Sequence, residues 1–176
     1  MENAIGLLSN SFYALIAAGA STAILLAQFL QEKEGNRLQA YQDSANIWTI
    51  CRGATRVEGQ PVKPGMQLSR EKCEQVNQFE VDKAIAWVEK HIKVPLTDVQ
   101  KAGIASFCPY NLGATKCISS TFYRKLNAGD YQGACAEIKR WIFDGGKDCR
   151  LRANNCAGQV IRRAQESELT CWGSDV

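Results

Sequence analysis

Glu34, Asp43 and Thr49 lie together in the run EGNRLQAYQDSANIWT, residues 34–49. Two carboxyls and a hydroxyl are suited to cleaving a glycosidic bond. One carboxyl must carry a proton for the leaving oxygen, and the other must be ionised to activate water. Glu34 stands where an apolar helical run gives way to alternating residues, a place where partial burial favours the proton-carrying form. Asp43 falls on the strand-turn side and is wetter, hence ionised. Thr49, six residues on, is placed to hydrogen-bond a water held by Asp43. Composition alone does not separate such a trio from an ordinary solvated face.

The elements that must position these groups are legible around them. RLQAYQD and IWTICRG alternate apolar and polar residues, and Asp43-Ser44-Ala45-Asn46 supplies the turn between them. Gly53, Gly59, Pro61, Pro64 and Gly65 then punctuate a loop-rich stretch, so a small antiparallel sheet is expected over roughly residues 36–66. Beyond it the pattern is helical. Ser69 is a candidate N-cap for a long helix, Pro95 ends that helix, and Thr97 to Gln100 fits a capping box. Further helices are expected from Ser119, Asp130 and Val160. The fold class is therefore α+β, a small sheet lobe followed by a larger helical lobe, in a chain of 176 residues that is sized for one main core.

Charge is distributed unevenly. Residues 1–31 carry only Glu2, and everything else charged lies beyond them, for a net +3 overall. A mildly basic body suits an anionic polymer such as a bacterial wall. No arginine-rich run or aromatic-basic alternation points to nucleic acid. Eight cysteines, at 51, 73, 108, 117, 135, 149, 156 and 171, argue for disulfides and an oxidising compartment. The absence of a CxxC pair and a single histidine, His91, argue against zinc. Spacing does not fix the pairing, since eight cysteines allow 105 connectivities. Short loops favour Cys108–Cys117 and Cys149–Cys156, which would leave Cys51–Cys73 and Cys135–Cys171.

The front end, FYALIAAGASTAILLAQFL at 12–30, is long enough to span a bilayer but holds six alanines with Gly19, Ser21, Thr22 and Gln28. Such small residues gain little from lipid. A cleaved signal peptide should open with positive charge, and none precedes Lys33. A permanent anchor would be richer in leucine and isoleucine. The composition favours a helix able to live in the membrane or on the protein, against the plainer reading of an amphipathic core helix.

The segment EGNRLQAYQDSANIWTICRG resembles the active-site segment of the T-even phage lysozyme family, glycoside hydrolase family 24, through Glu34, Gly35, Arg37, Leu38, Tyr41, Asp43, Trp48, Thr49 and Gly53. SFCPYNLGA resembles that family's helix at the back of the cleft, which implies Asn111 near bound sugar. IRRAQESELTCW resembles a later helix, which implies Arg163 in the cleft. Ala54 stands where many relatives carry histidine, and 33 residues precede the glutamate, an extension similar to that of signal-anchor-release endolysins of lambdoid phages. Residues 1–50 lack cysteine, so a thiol switch in the anchor is not expected.

The resemblance implies a lysozyme-like fold with an N-terminal apolar helix, divided as a signal-anchor-release segment (1–31) and a muramidase domain (32–176). It implies an endolysin that cuts the β-1,4 bond between N-acetylmuramic acid and N-acetylglucosamine in peptidoglycan with inversion. Glu34 would be the acid, Asp43 the base and Thr49 the positioning residue. No metal or organic cofactor is expected, and the partners are peptidoglycan and, before release, the inner membrane, with the chain acting as a periplasmic monomer. The rival reading is a non-catalytic, membrane-tethered module that binds peptidoglycan.

Overall fold

A computed structural model describes residues 7–174. The first six residues of the 1–31 segment lie outside the described residues. The remainder forms two helices, α1 (Asn10–Ala17) and α2 (Thr22–Lys33), rather than one. The break has local causes. Gly19 adopts φ +71°, a left-handed conformation open to glycine, and Ser21 caps the next helix by accepting from the Ile24 amide. No helix among the described residues is long and apolar enough to cross a membrane.

Both helices pack into the body. Phe12, Leu25, Leu26, Phe29 and Leu30 are fully buried in the main core, and Phe12 meets Phe29 edge-on at 6.1 Å. The division at residue 31 is therefore not a boundary in packing. Polar side chains fasten the segment as well. Thr22 donates to Asp98 Oδ1 through its hydroxyl (2.6 Å) and its amide (3.1 Å), and Tyr13 donates to Glu168 Oε1 at 2.6 Å.

The sheet lobe comes next. Strand β1 (Arg37–Gln42) pairs antiparallel with β2 (Trp48–Cys51), placing Tyr41 opposite Thr49, with an irregularity between Arg37 and Tyr41. A second small pair, β3 (Arg56–Val57) and β4 (Gln60–Pro61), follows it, so the expected single sheet is two separate hairpins, with isolated bridges from Gln39 to Gln67 and from Ile50 to Ala54. These hairpins enclose their own small core of Ile50, Cys51, Ala54, Val57 and Val62 against α3 (Arg70–His91). Ala54 is an apolar member of that core.

Helix α3 contributes to both cores: Cys73 and Val76 to the small one, Val81, Ala84 and Val88 to the main one. Ser69 caps it as expected, and Thr97 with Gln100 forms the capping box of α4 (Asp98–Ala105). Then come a π-helical stretch (Ser106–Leu112), α5 (Ala114–Ser119), α6 (Thr121–Asn127), α7 (Tyr131–Ile138) and α8 (Ala157–Thr170). Helix α8 lies close against α4 because Gly103 has no side chain. A Cβ there would sit 2.7 Å from Leu169 Cβ and 2.8 Å from the Thr170 amide nitrogen. Between α7 and α8 runs a hairpin with no counterpart among the expected elements, β5 (Phe143–Asp144) with β6 (Lys147–Asp148).

All eight cysteines are paired, as 51–73, 108–117, 135–171 and 149–156. The first ties the sheet lobe to α3. The third ties α7 to the end of α8.

The Asp98 contact makes docking of α2 sensitive to acid. The Thr22 hydroxyl, and then its amide, hold the Asp98 carboxyl below the ordinary aspartate range. A lowered folded-state value gives stability that is complete above the ordinary value, about 4, and fades as pH falls through the lowered one. Asp98→Asn should thus be less stable than the parent near neutrality. The gap should narrow as pH falls below the ordinary aspartate value, about 4, as urea midpoints at several pH values would show. A gap that persists in acid would exclude the carboxylate as its cause.

Candidate active site

Glu34 is the residue that ends α2, where its own amide still bonds back to Leu30 but its backbone is already extended. Its carboxyl is a quarter exposed and accepts from Arg162 Nη1 at 2.5 Å. Partial burial at the helix end is what the sequence leads one to expect of Glu34; the structure adds a guanidinium.

Arg162 is held in turn. Its Nε donates to Glu166 Oε1 at 3.0 Å, and Ser106 Oγ donates to the same oxygen at 2.7 Å. Arg163 Nη1 donates to the other Glu166 oxygen. Glu166 has no exposed surface. Burial works against the charge of Arg162, but Glu166 and then Glu34 more than offset it and hold the guanidinium above its ordinary value. Burial dominates at Arg163 and pulls it down, with Glu166 opposing.

Arg163, which the resemblance implies in the cleft, is almost fully buried. Its side chain is 1 % exposed and is engaged by the Trp141 carbonyl, Glu166 and Asn111 Oδ1. The arginine that reaches the candidate acid is its neighbour, Arg162, which sequence reasoning missed. One residue along a helix is a turn of about 100°, so the two arginines face different partners. Asn111 is exposed near the end of the π-helical stretch, with Arg163 beneath it.

Asp43 sits in the turn between β1 and β2. Its Oδ1 accepts from the Ala45 and Ile47 amides at 2.8 and 2.9 Å, which orients the carboxylate. Its Oδ2 has no hydrogen-bond partner among the described residues and is left for water. Thr49 is buried on β2 and donates to the Ile47 carbonyl at 2.9 Å, so its hydroxyl is oriented by the same turn. Tyr41, opposite Thr49, senses both carboxylates: after burial, the charges of Glu34 and Asp43 push its phenol up, with Arg37 opposing. Glu34 and Asp43 thus both lie within electrostatic reach of Tyr41, which pairs across the strands with Thr49.

A cavity of about 240 Å³ opens between the lobes. Gly53 and Thr55 line it from the sheet lobe, Glu80 and Lys83 from α3, and Pro109 and Tyr110 from the π-helical stretch. A larger groove of about 860 Å³ lies near Tyr13 and Trp172, and neither cavity is lined by Glu34, Asp43, Thr49, Asn111 or Arg163. Among the described residues no cluster of histidine, cysteine, aspartate or glutamate is arranged to hold a metal.

Removing charge from Glu166 leaves buried Arg162 with Glu34 as its remaining carboxylate partner and buried Arg163 with none among the described residues. Glu166→Gln should cost about 3–5 kcal/mol of stability, measured by urea unfolding. A variant as stable as the parent would show that the buried carboxylate is dispensable.

The phage lysozyme family model matches residues 31–166. A "SAR-endolysin" of Escherichia phage 933W is 68% identical over 168 residues, covering 96% of this chain and 95% of that protein. A "Probable prophage lysozyme" of Escherichia coli (strain K12) is 67% identical over 166 residues, covering 94% of each. Among solved structures, an endolysin from the Escherichia coli O157:H7 phage FAHEc1 superposes with a TM-score of 0.69 at 35% identity, covering 85% of this chain and 91% of that one. With the lobes, the helix-borne glutamate and the turn-borne aspartate already in place, these matches agree in one conclusion: the chain belongs to the phage lysozyme family.

Proposed function

We propose that this protein is an endolysin that hydrolyses the β-1,4 bond between N-acetylmuramic acid and N-acetylglucosamine of peptidoglycan, with Glu34 as general acid and Asp43 as base. What supports the reading is that Glu34, held by Arg162 at the end of α2, and Asp43, held by its own turn amides, both lie near enough to Tyr41 for their charges to act on its phenol. On this reading the glycan lies between the sheet lobe and the helical lobe, with Asn111 beside it. Glu34 donates its proton to the leaving oxygen. Water bound at Asp43 Oδ2 and steadied by Thr49 attacks the anomeric carbon from the opposite face and gives its proton to Asp43, which inverts the centre. The residues need no metal or organic cofactor for this, and the chain acts as a monomer without nucleic acid.

Residues 1–31 serve as a membrane tether that later leaves the bilayer, and residues 32–176 as the muramidase body, in the periplasm. The features that weaken the segment as an anchor shape it for the body. Gly19 takes the left-handed turn, Ser21 caps α2 and Thr22 bonds Asp98. Docking then delivers the end of α2, and Glu34 with it, to Arg162.

Glu34→Gln should fold normally and lose wall lysis, read as clearing of a purified-wall suspension. The amide keeps the shape and lacks the proton, and general acid help is worth roughly 10²–10⁴-fold. Clearing at the parental rate would remove Glu34 from the mechanism and favour a binding module.

Replacing Gly19, Ser21 and Thr22 together with leucine should hold the protein in the membrane fraction and delay lysis. Each leucine favours insertion by roughly a few tenths of a kcal/mol, and the three changes also remove the turn, the cap and the Asp98 contact. Prompt release and lysis by the triple variant would sink the release model.

A further inference from the structure

One peptide of the sheet lobe is hydrogen-bonded both to α3 and to an element beyond it. The backbone of Arg52, in the turn after β2, is gripped from both sides by side chains of other elements. Its amide donates to Asn77 Oδ1 of α3 at 3.1 Å, and its carbonyl accepts from the Tyr110 hydroxyl of the π-helical stretch. Asn77 is buried, and its Nδ2 donates to Asn36 Oδ1 at 3.3 Å, two residues past Glu34. One chain of hydrogen bonds thus starts beside the candidate acid, crosses α3, and reaches the turn after the strand that carries Thr49. It ends in the helical lobe. Among the described residues, the Tyr110 bond is the only hydrogen bond between residues 37–68 and anything beyond α3.

The main core and the sheet-lobe core are separate clusters that share only α3. Glu34 is fixed to one and Asp43 to the other. Their relative placement therefore depends on α3, on the Cys51–Cys73 disulfide and on the junction at Arg52. Tyr110 is well suited to the task. Burial first, and then the negative charge of Glu34, push its phenol far above the ordinary tyrosine value, so it remains a donor across the working pH range.

We propose that Tyr110 is a positioning residue whose hydroxyl, by pinning the Arg52 peptide, sets the opening between Glu34 and Asp43. The inference rests on the reading of those two carboxyls as acid and base. A small error in that opening is costly, since a displacement of about 1 Å at reacting groups can lower a rate on the order of 10²-fold.

The test is Tyr110→Phe in the released full-length chain, assayed on soluble peptidoglycan fragments of defined length at a temperature where circular dichroism shows the variant folded. The expected result is a kcat lowered roughly 10- to 100-fold with KM within about twofold of the parent. Site-specific 3-fluorotyrosine at 110, which keeps the donor, should restore kcat. Asn77→Ala, which frees the same peptide from its other side, should also lower kcat. A merely structural role would lower the melting temperature while leaving kcat of the folded variants at the parental level, and that result overturns the proposal. Glu34→Gln assayed alongside keeps the two readings apart. Residual full activity there overturns the acid assignment. An inactive Glu34→Gln beside a parent-like Tyr110→Phe overturns the pin alone.

Discussion

A carboxylate with no access to solvent holds the helical lobe and the candidate site in one arrangement. Glu166 divides its two oxygens between two guanidiniums, with Ser106 adding a neutral donor. Charges in such a place are tolerated only when paired and fully hydrogen-bonded, because desolvation otherwise outweighs attraction. The pairing extends outward in two directions. Through Arg162 it reaches Glu34 at the end of α2, and through Arg163 it reaches Asn111 on the π-helical stretch. The rim of the site thereby inherits its geometry from the most buried charge in α8. The approach of α8 to α4 at Gly103 is what lets Ser106 reach that charge.

The same helices need the N-terminal segment. Phe12, Phe29 and Leu30 have essentially no exposure; Phe12 packs on Phe29, and α2 packs against α3 and α4. A body without α1 and α2 would leave that apolar surface open to water, at roughly 25 cal/mol for each Å². Burial of this surface favours the docked state, while the alanines and polar residues of the segment limit what lipid can offer in return.

Much of this was legible locally. The N-caps at Ser69 and Asp130, and the Thr97 box, follow from side chains that satisfy amides three residues away, and such signals do not depend on the rest of the fold. The two short cysteine loops were readable for the same reason. Signals for the break in the apolar segment and for the β5–β6 hairpin were present in Gly19 with Ser21 and in Gly145-Gly146, but uniform hydrophobicity hid the first and neighbouring helices the second. The choice between Arg162 and Arg163 was not readable, because it depends on how α8 is rotated against α4 and the π-helical stretch. Nor was the Arg52 junction, since a backbone amide and carbonyl have the same chemistry at every position and only the tertiary fold selects which are used.

The four disulfides all lie between residues 51 and 171, and none encloses any part of the first fifty residues. Topologically, the segment that completes the core is a free tail on a covalently cross-linked frame. No disulfide bonds it to the frame, so none has to break for it to enter or leave its seat. Oxidation and docking are consequently separable in time. The cross-links can be made while the seat is vacant, and they shrink the range of shapes the frame explores while it waits.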